Sequence, residues 1–430
     1  MSRWSTARGE NTIRIAAVVH NTVTHDARVL KGAASLKAQG HEVRLFGLTP
    51  DETEDFVLPN GIPVHLEHRD LTGIKSRVDE EGLEKGRASS IWTSFRIQGE
   101  TLFESVKASF EPDIVHIHDH LALSAAPMYK DAFGCPIIWD AHEIYEDLAS
   151  IEKDRAEVNS RIIRDNVRHV DGFITLNQSI ADFYREKYTD LPAAVLLPNA
   201  VERVAQTNYD GRLHDKAGLN PDQKILLFQG GYSLHRGIPA LLEASNLLRE
   251  DWSLVFMGWG KLEAEIREYA DAESDRPEGR ARVAMVPSAP HDELLKWTAG
   301  ASLGTIPYEN TGLNHLYCSP NKLWEYPAAG VPILASDMPE MKKKIEQYDI
   351  GVTVGRDLVP AEIAAAVNSL TDSDIEQMRL NCGVYAAAEN WQNYEPHLTD
   401  LHIRLGREHG IVKSGIAGMV SKFVRRLKGD

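Results

Sequence analysis

SPNKLWEYPAAGVPIL, residues 319–334, has the pattern of a loop, a short helix and a buried strand. Ser319 and Pro320 are residues favoured at a helix N-cap and at the first helical position. Gly330 is favoured just after a helix end, and the apolar run from Val331 has the composition of a buried strand. This order of elements is typical of one repeat of a doubly wound α/β domain, and it predicts that fold class for the chain.

The same helix carries two charged residues that suit a nucleotide. Lys322 and Glu325 are three positions apart and therefore share a helix face. The free N–H groups in the first turn of this helix favour a phosphate, and Lys322 adds a full positive charge. The Glu325 carboxylate can accept hydrogen bonds from a ribose diol. The segment therefore predicts a nucleotide-diphosphate site, the alternative being a surface ion pair on an ordinary helix.

Length and composition indicate a two-domain globular protein. The chain has 430 residues, 43% of them hydrophobic and 26% charged, so two domains of ordinary composition are expected. The net charge of −16 argues against a nucleic-acid-binding surface. Cys135, Cys318 and Cys382 are far apart and lack metal-ligand spacing, which predicts a reducing compartment and no structural zinc. No apolar run has the pattern of a signal peptide or a membrane span, so we expect a cytoplasmic protein.

The first half of the sequence predicts a parallel sheet whose strands end in polar residues. IRIAAVVH, a helical pattern and EVRLFGL form a strand–helix–strand crossover. DIVHIHD and PIIWD are later strands that lead to His118 and to the cluster of Asp140, His142 and Glu143. Because ligands bind beyond the carboxyl ends of the strands in such sheets, we predict a binding role for these residues. Alternatively, His116 and His118 are core histidines, and the three residues of the cluster cap the next helix.

The second half repeats this pattern after a polar linker at residues 202–222. KILLFQGG is a strand that ends in Gly230 and Gly231, a pair that allows the backbone to approach a ligand closely. Arg236 follows in the next loop and suits an anion, although an arginine in a loop is more often only solvated. The strands WSLVFMGWG, RVAMVP, SLGTIPY, VPILAS and GVTV complete a second doubly wound domain.

The triplet Asp372, Ser373 and Asp374 has the letters of a metal-binding motif. Ser373 is followed three residues later by Glu376, however, which is the pattern of a capping box at a helix start. We therefore predict a helix at this position, and no metal site in the chain.

With both halves in view, the sequence resembles the GT-B glycosyltransferases, specifically the large retaining family often called GT4, over about residues 13–405. The matching segments are DARVLKGAASLKAQGHEV, PDIVHIHDHLAL, IIWDAHE, LLPNAV, FQGGYSLHRG, VFMGWGKLEAEI and SPNKLWEYPAAGVPIL. The resemblance implies an α/β protein with the GT-B fold, in which two doubly wound Rossmann-like domains face a central cleft. We expect an acceptor-binding domain at residues 1–205, a nucleotide-sugar-binding domain at 206–388, a helix crossing back to the first domain at 389–409 and a basic amphipathic tail at 410–430.

The resemblance implies a donor site that departs from the family pattern at two positions. Glu325 matches the family glutamate that binds the ribose hydroxyls, whereas the other glutamate of the family's pair falls on Tyr317. Arg236 matches the basic residue of the phosphate loop, but its usual arginine partner falls on Gly230. Since Lys322 stands where many members have an apolar residue, we infer that it restores the missing charge.

Other roles follow from the same resemblance. His118 matches the histidine that contacts the donor sugar near the anomeric carbon. The implied catalytic residues are His118, Arg236 and Lys322. The implied donor-binding residues are Gly230, Gly231, Arg236, Gly258, Ser319, Pro320, Asn321, Lys322 and Glu325. The candidates on the acceptor side are Asp26, Arg28, Asp140, His142 and Glu143.

The implied activity is retaining transfer of a sugar from a nucleotide-diphosphate donor to an acceptor hydroxyl, in cell-envelope or surface glycan assembly. The expected partners are a nucleotide sugar and a glycan or lipid-linked acceptor, with no metal, no catalytic cofactor and no nucleic acid. Arg236, Lys322 and the helix start would stabilise the departing diphosphate. Two alternatives stay open: a sugar-nucleotide epimerase of the same fold, and a non-catalytic nucleotide-sugar-binding subunit.

The tail from Gly410 predicts an amphipathic helix outside the family resemblance. Five apolar residues recur at helical spacing, namely Val412, Ile416, Met419, Phe423 and Leu427, and four basic residues fall on the other side, namely Lys422, Arg425, Arg426 and Lys428. A basic face opposite an apolar one suits an anionic membrane surface, which would place the protein at the inner face of the membrane. Alternatively, the apolar stripe packs on the N-terminal domain.

Overall fold

The computed structural model describes residues 12–82, 86–148, 150–204, 208–272 and 277–412. These residues form two domains, each built on one mainly parallel sheet with helices packed on it. The predicted α/β class, with two doubly wound domains, is confirmed.

The N-terminal domain contains an eight-stranded sheet. Its strands are β1 (Arg14–Val18), β2 (Glu42–Thr49), β3 (Glu54–Val57), β4 (Pro63–His68), β5 (Ile114–His118), β6 (Ile137–Ala141), β7 (Gly172–Thr175) and β8 (Ala194–Leu196). Their order is β3-β4-β2-β1-β5-β6-β7-β8, and β3 pairs with β4 in the antiparallel sense. The helices are α1 (Ala27–Ala38), α2 (Leu71–Gly82), α3 (Arg87–Ser109), α4 (Ala126–Phe133), α5 (Lys153–Asn166) and α6 (Gln178–Lys187). Two strands were not predicted from the sequence: β3, an exposed and charged edge strand, and β4, which pairs with β2.

The C-terminal domain contains a six-stranded sheet. Its strands are β9 (Lys224–Tyr232), β10 (Trp252–Gly260), β11 (Val283–Val286), β12 (Leu303–Ile306), β13 (Ile333–Ser336) and β14 (Gly351–Val354), in the order β11-β10-β9-β12-β13-β14. The helices are α7 (Arg212–Ala217), α8 (Ile238–Ser245), α9 (Glu263–Asp271), α10 (Leu294–Thr298), α11 (Leu313–Leu316), α12 (Lys322–Ala328), α13 (Pro339–Tyr348), α14 (Pro360–Ser369) and α15 (Asp372–Ala388). The last helix is α16 (Trp391–Glu408).

The central strands of the N-terminal sheet are buried on both faces. Every residue of β5 and of β6 is buried, because helices cover both sides of a parallel sheet. The polar residues of these strands, His116, His118 and Asp140, therefore lie inside the protein.

Helix α16 follows the C-terminal domain in the chain but packs on the N-terminal one. Leu398, Leu401 and Leu405 are buried in the same core as Ile13 and Ile138. The Trp391 indole Nε1 donates a hydrogen bond to Ser35 Oγ of α1 at 2.9 Å. Helix α16 therefore connects the end of the C-terminal domain to the core of the N-terminal domain.

Two predicted helix starts are wrong, although both segments are helical. Helix α12 begins at Lys322 rather than at Pro320, and the Ser319 hydroxyl does not cap it. Helix α15 is capped by Thr371, whose capping box is completed by Asp374 rather than by Ser373 and Glu376. Both Thr371 and Ser373 have an acidic residue three positions later, so the local pattern alone could not choose between them.

The predicted basic tail lies outside the described residues from position 413 onward. Among the helices that the structure describes, none is long and apolar enough to span a membrane.

Candidate active site

A cavity of about 730 Å³ lies between the two domains at the carboxyl ends of their strands. The N-terminal wall includes Asp119, His142, Glu143 and Asn199. The C-terminal wall includes residues that the sequence placed in the donor site, namely Gly230, Arg236, Gly258, Ser319, Pro320, Asn321, Lys322 and Glu325. Of the predicted donor residues, Gly231 alone does not line this cavity.

Arg236 and Lys322 are neighbouring cations that form no ion pair with the described residues. The Arg236 guanidinium lies over the Tyr308 ring, 4.0 Å from its centroid, and neither cation has a hydrogen bond or ion pair within the described part of the chain. Burial lowers the pKa of Arg236. Burial also lowers the pKa of Lys322 to about 8. The Glu325 carboxylate opposes this shift, and the Arg236 charge adds to it. Two neighbouring cations that form no ion pair of their own can bind an anion of more than one charge.

Gly230 leaves space that the Lys322 amine occupies. A Cβ atom at Gly230 would lie 3.1 Å from Lys322 Nζ, and the backbone there has a φ of +109°. Gly258 is its partner on the next strand, where a Cβ would come within 2.0 Å of the Gly230 carbonyl oxygen. The Lys322 charge therefore lies beside position 230, where the family pattern has an arginine.

A hydrogen-bonded chain holds the Glu325 carboxylate. Gln229 Nε2 donates to Glu325 Oε2 at 2.8 Å, and Thr298 Oγ1 donates to Gln229 Oε1 at 2.8 Å. Gln229 and Thr298 are both buried. Sequence reasoning missed Gln229, for which the signal was a lone amide in the apolar strand KILLFQGG.

On the opposite wall, a polar cluster surrounds Asp119. Tyr145 donates its hydroxyl to Asp119 Oδ1 at 2.5 Å, and His142 Nδ1 lies 3.3 Å from the same oxygen. Burial lowers the pKa of His142, but Asp140 and Asp119 outweigh it and leave the pKa raised. Asp119 has a φ of +62°, which turns the chain out of β5 into the cleft.

His118 lies beneath the cleft and does not line it. Only 3% of its surface is exposed, and its ring stacks on that of His116 with centroids 4.3 Å apart. The histidine that reaches the cavity from this cluster is His142.

Three of the predicted acceptor-side residues are occupied by contacts within the N-terminal domain. Arg28 donates to both carboxylate oxygens of Asp140, from Nε at 2.9 Å and from Nη2 at 2.7 Å. Burial raises the pKa of the Asp140 carboxyl, but Arg28 and the surrounding imidazoles outweigh this and hold it well below its usual range. Asp26 caps α1 by accepting a hydrogen bond from Val29 N. None of the three lines the cavity, whereas His142 and Glu143 do.

His116, His118 and Asp140 are the group among the described residues whose side chains could hold a metal ion, with ligand atoms within 4.8 Å of one another. Both oxygens of Asp140 already accept hydrogen bonds from Arg28. A divalent cation would therefore be buried beside a guanidinium, and this set does not fit one well.

Direct hydrogen bonds fix the two walls relative to each other. Asn177 Nδ2 donates to Ser319 Oγ at 2.8 Å, and Ile144 N donates to Asn314 Oδ1 at 2.8 Å. The Ser319 hydroxyl is thus used between the domains, which explains why it does not cap α12.

Comparison with known proteins gives matches to both domains. The Glycosyl transferase 4-like domain family matches residues 25–200, and the Glycosyl transferases group 1 family matches residues 223–373. D-inositol 3-phosphate glycosyltransferase 1 of Catenulispora acidiphila is 24% identical over 316 residues, which cover 69% of this chain and 73% of that protein. The D-inositol 3-phosphate glycosyltransferase of Xylanimonas cellulosilytica is 23% identical over 305 residues, covering 67% and 71%.

Solved structures share the fold at low sequence identity. Sucrose-phosphate synthase from Thermosynechococcus elongatus has a TM-score of 0.72 at 15% identity, covering 92% of this chain and all of that one (100%). The E. coli trehalose-6-phosphate protein bound with UDP-2-fluoro glucose has a TM-score of 0.64 at 12% identity, covering 90% and 98%.

Proposed function

Because the chain belongs to the group 1 glycosyltransferases and has their GT-B fold, we propose that it is a retaining, metal-independent transferase that uses a nucleotide-diphosphate sugar. The observation that carries the proposal is the pair of unpaired cations, Arg236 and Lys322, on the same wall as the anchored carboxylate of Glu325. The diphosphate would bind the cations and the ribose diol would bind Glu325.

In the proposed reaction the sugar–phosphate bond breaks and negative charge accumulates on the departing diphosphate. Arg236 and Lys322 are already in place to stabilise that charge without reorganising, which is the usual largest contribution to catalysis. The acceptor hydroxyl attacks from the face that the diphosphate leaves, and a diphosphate oxygen takes the hydroxyl proton. We assign the donor-sugar contact to His142 instead of His118, because His142 lines the cavity.

The acceptor belongs, in this proposal, to cell-envelope or surface glycan assembly, with the tail from Gly410 docking on an anionic membrane. The two curated relatives are named as transferases of D-inositol 3-phosphate, which makes inositol and its phosphate the first acceptors to test.

A screen of nucleotide sugars tests the proposed function. The full-length protein is titrated with UDP-, GDP- and ADP-linked sugars in a thermal-shift assay, and each ligand is then incubated to follow its fate. Stabilisation by one donor, with slow hydrolysis or transfer of its sugar, supports the transferase. Epimerisation of the donor, or binding without any turnover, would support one of the two alternatives instead.

Replacing Glu325 tests the ribose contact. Glu325→Gln removes the carboxylate charge, and we expect nucleotide binding to weaken by about 1–3 kcal/mol, since charge-assisted hydrogen bonds to the diol are lost. Titration calorimetry compares the nucleotide with its 2′,3′-dideoxy analogue on both proteins. A variant that still discriminates between the two as well as the wild type would show that Glu325 does not hold the ribose.

Metal-independence is tested with a chelator. We expect turnover to survive EDTA, because Arg236 and Lys322 supply the charge that a metal ion would otherwise supply to the diphosphate. Loss of activity that returns with manganese or magnesium would contradict this expectation.

A further inference from the structure

The two walls of the cleft differ in charge. On the C-terminal wall, the two cations Arg236 and Lys322 face the cavity together with one carboxylate, that of Glu325. On the N-terminal wall, the charged residues that line the cavity are the carboxylates Asp119 and Glu143 together with His142, and no lysine or arginine among the described residues lines that wall. If the donor diphosphate binds Arg236 and Lys322, as proposed above, the acceptor binds next to the carboxylates of the N-terminal wall.

Of the two carboxylates, Glu143 makes fewer contacts with other residues of the protein. Its side chain is exposed in the cleft and makes no hydrogen bond or ion pair with the part of the chain that the structure describes. Partial removal from water raises the pKa of the Glu143 carboxyl, and the neighbouring Asp119 raises it further. Asp119 already accepts the Tyr145 hydroxyl, yet it too lines the cavity.

Arg28 lies behind the N-terminal wall but does not neutralise the charges of Asp119 and Glu143. Arg28 is 7% exposed. It donates hydrogen bonds to Asp140, to the Leu197 carbonyl at 2.6 Å and to Asn199 Oδ1 at 3.0 Å. A phosphate on the acceptor would therefore approach two carboxylates, while Arg236, the unpaired guanidinium of the cavity, lies on the opposite wall and is used by the donor diphosphate. A hydroxyl, by contrast, donates a hydrogen bond to a carboxylate and is favoured at such a wall.

We propose that Glu143 and Asp119 select a neutral, hydroxyl-rich acceptor over its phosphorylated form, Glu143 being the residue that sets the preference. This inference rests on the proposed function, and it departs from the phosphorylated substrate in the names of the two curated relatives. Discrimination here comes from like-charge repulsion as much as from the new hydrogen bonds.

The test compares matched ligands on the full-length protein. Ligand-observed NMR titrations measure the Kd of myo-inositol against inositol 3-phosphate and of glucose against glucose 6-phosphate, with inorganic pyrophosphate present to occupy Arg236 and Lys322. In the wild type the neutral member of each pair should bind more tightly. Glu143→Gln should shift the ratio of the two Kd values by about fivefold or more toward the phosphorylated member, because one like charge is removed.

Glu157→Gln is the matched control, since it removes the same charge from the exposed face of α5. It should leave both ratios unchanged. Tighter binding of the phosphorylated members by the wild type, an unchanged ratio in Glu143→Gln, or no binding of either neutral polyol would each overturn the inference. These outcomes are separate from the proposed function, which fails if no nucleotide sugar is bound, or if the bound donor is epimerised or is not turned over.

Discussion

Lys322→Met and Arg236→Met should each lower kcat/KM by about 30- to 150-fold, which corresponds to about 2–3 kcal/mol of transition-state stabilisation. Each change leaves part of the charge that develops on the diphosphate without a partner. The effect is expected to be large because Gly230 supplies no side chain, so that Lys322 Nζ is the charge beside that position. Steady-state kinetics with the donor identified by the screen measure the loss.

Two further variants separate a charge effect from a packing effect. Lys322→Arg keeps the charge and should recover most of the rate, whereas Lys343→Met removes an exposed lysine of α13 and should have no effect. The double variant should lose less than the product of the single losses, because both cations act on one diphosphate. Either single variant within about threefold of the wild type would remove that residue from the mechanism.

The parts of the site that lie within one sequence segment could be predicted. Lys322 and Glu325 are three positions apart, so helical geometry alone brings them to one face, and both line the cavity. The anchoring of Glu325 by Gln229 could not be foreseen, because 96 residues separate the two and only the packing of α12 against β9 joins them.

The N-terminal wall was harder to predict for a similar reason. Strand alternation indicates which residues of β5 share a face, but it does not say where the cleft begins beyond the strand. His118 is still within β5 and is buried, whereas His142 follows the end of β6 and reaches the cavity. The ion pair of Arg28 with Asp140 joins residues 112 positions apart, and no local pattern indicates it.

Breaking the ion pair between Arg28 and Asp140 should have a large effect on the free energy of unfolding. Arg28 is 7% exposed and Asp140 1% exposed, and two hydrogen bonds join them. Arg28→Met should lower the free energy of unfolding by about 3–5 kcal/mol, because it leaves a buried carboxylate without its counter-charge. The double variant Arg28→Met with Asp140→Leu should recover much of this loss, since the buried carboxylate is then removed together with its guanidinium partner. Urea unfolding of each variant gives the values.

The same variants decide between a structural role and the acceptor contact predicted for these residues. Because neither side chain lines the cavity, Arg28→Met should leave the KM for the acceptor near that of the wild type while stability falls. Arg404→Met is the control, since it removes one partner of an exposed ion pair on α16 and should cost at most about 1 kcal/mol. A raised acceptor KM with unfolding free energy close to the wild type would instead place Arg28 in the acceptor site, because a buried guanidinium that only supports the fold cannot be lost at so small a cost in stability.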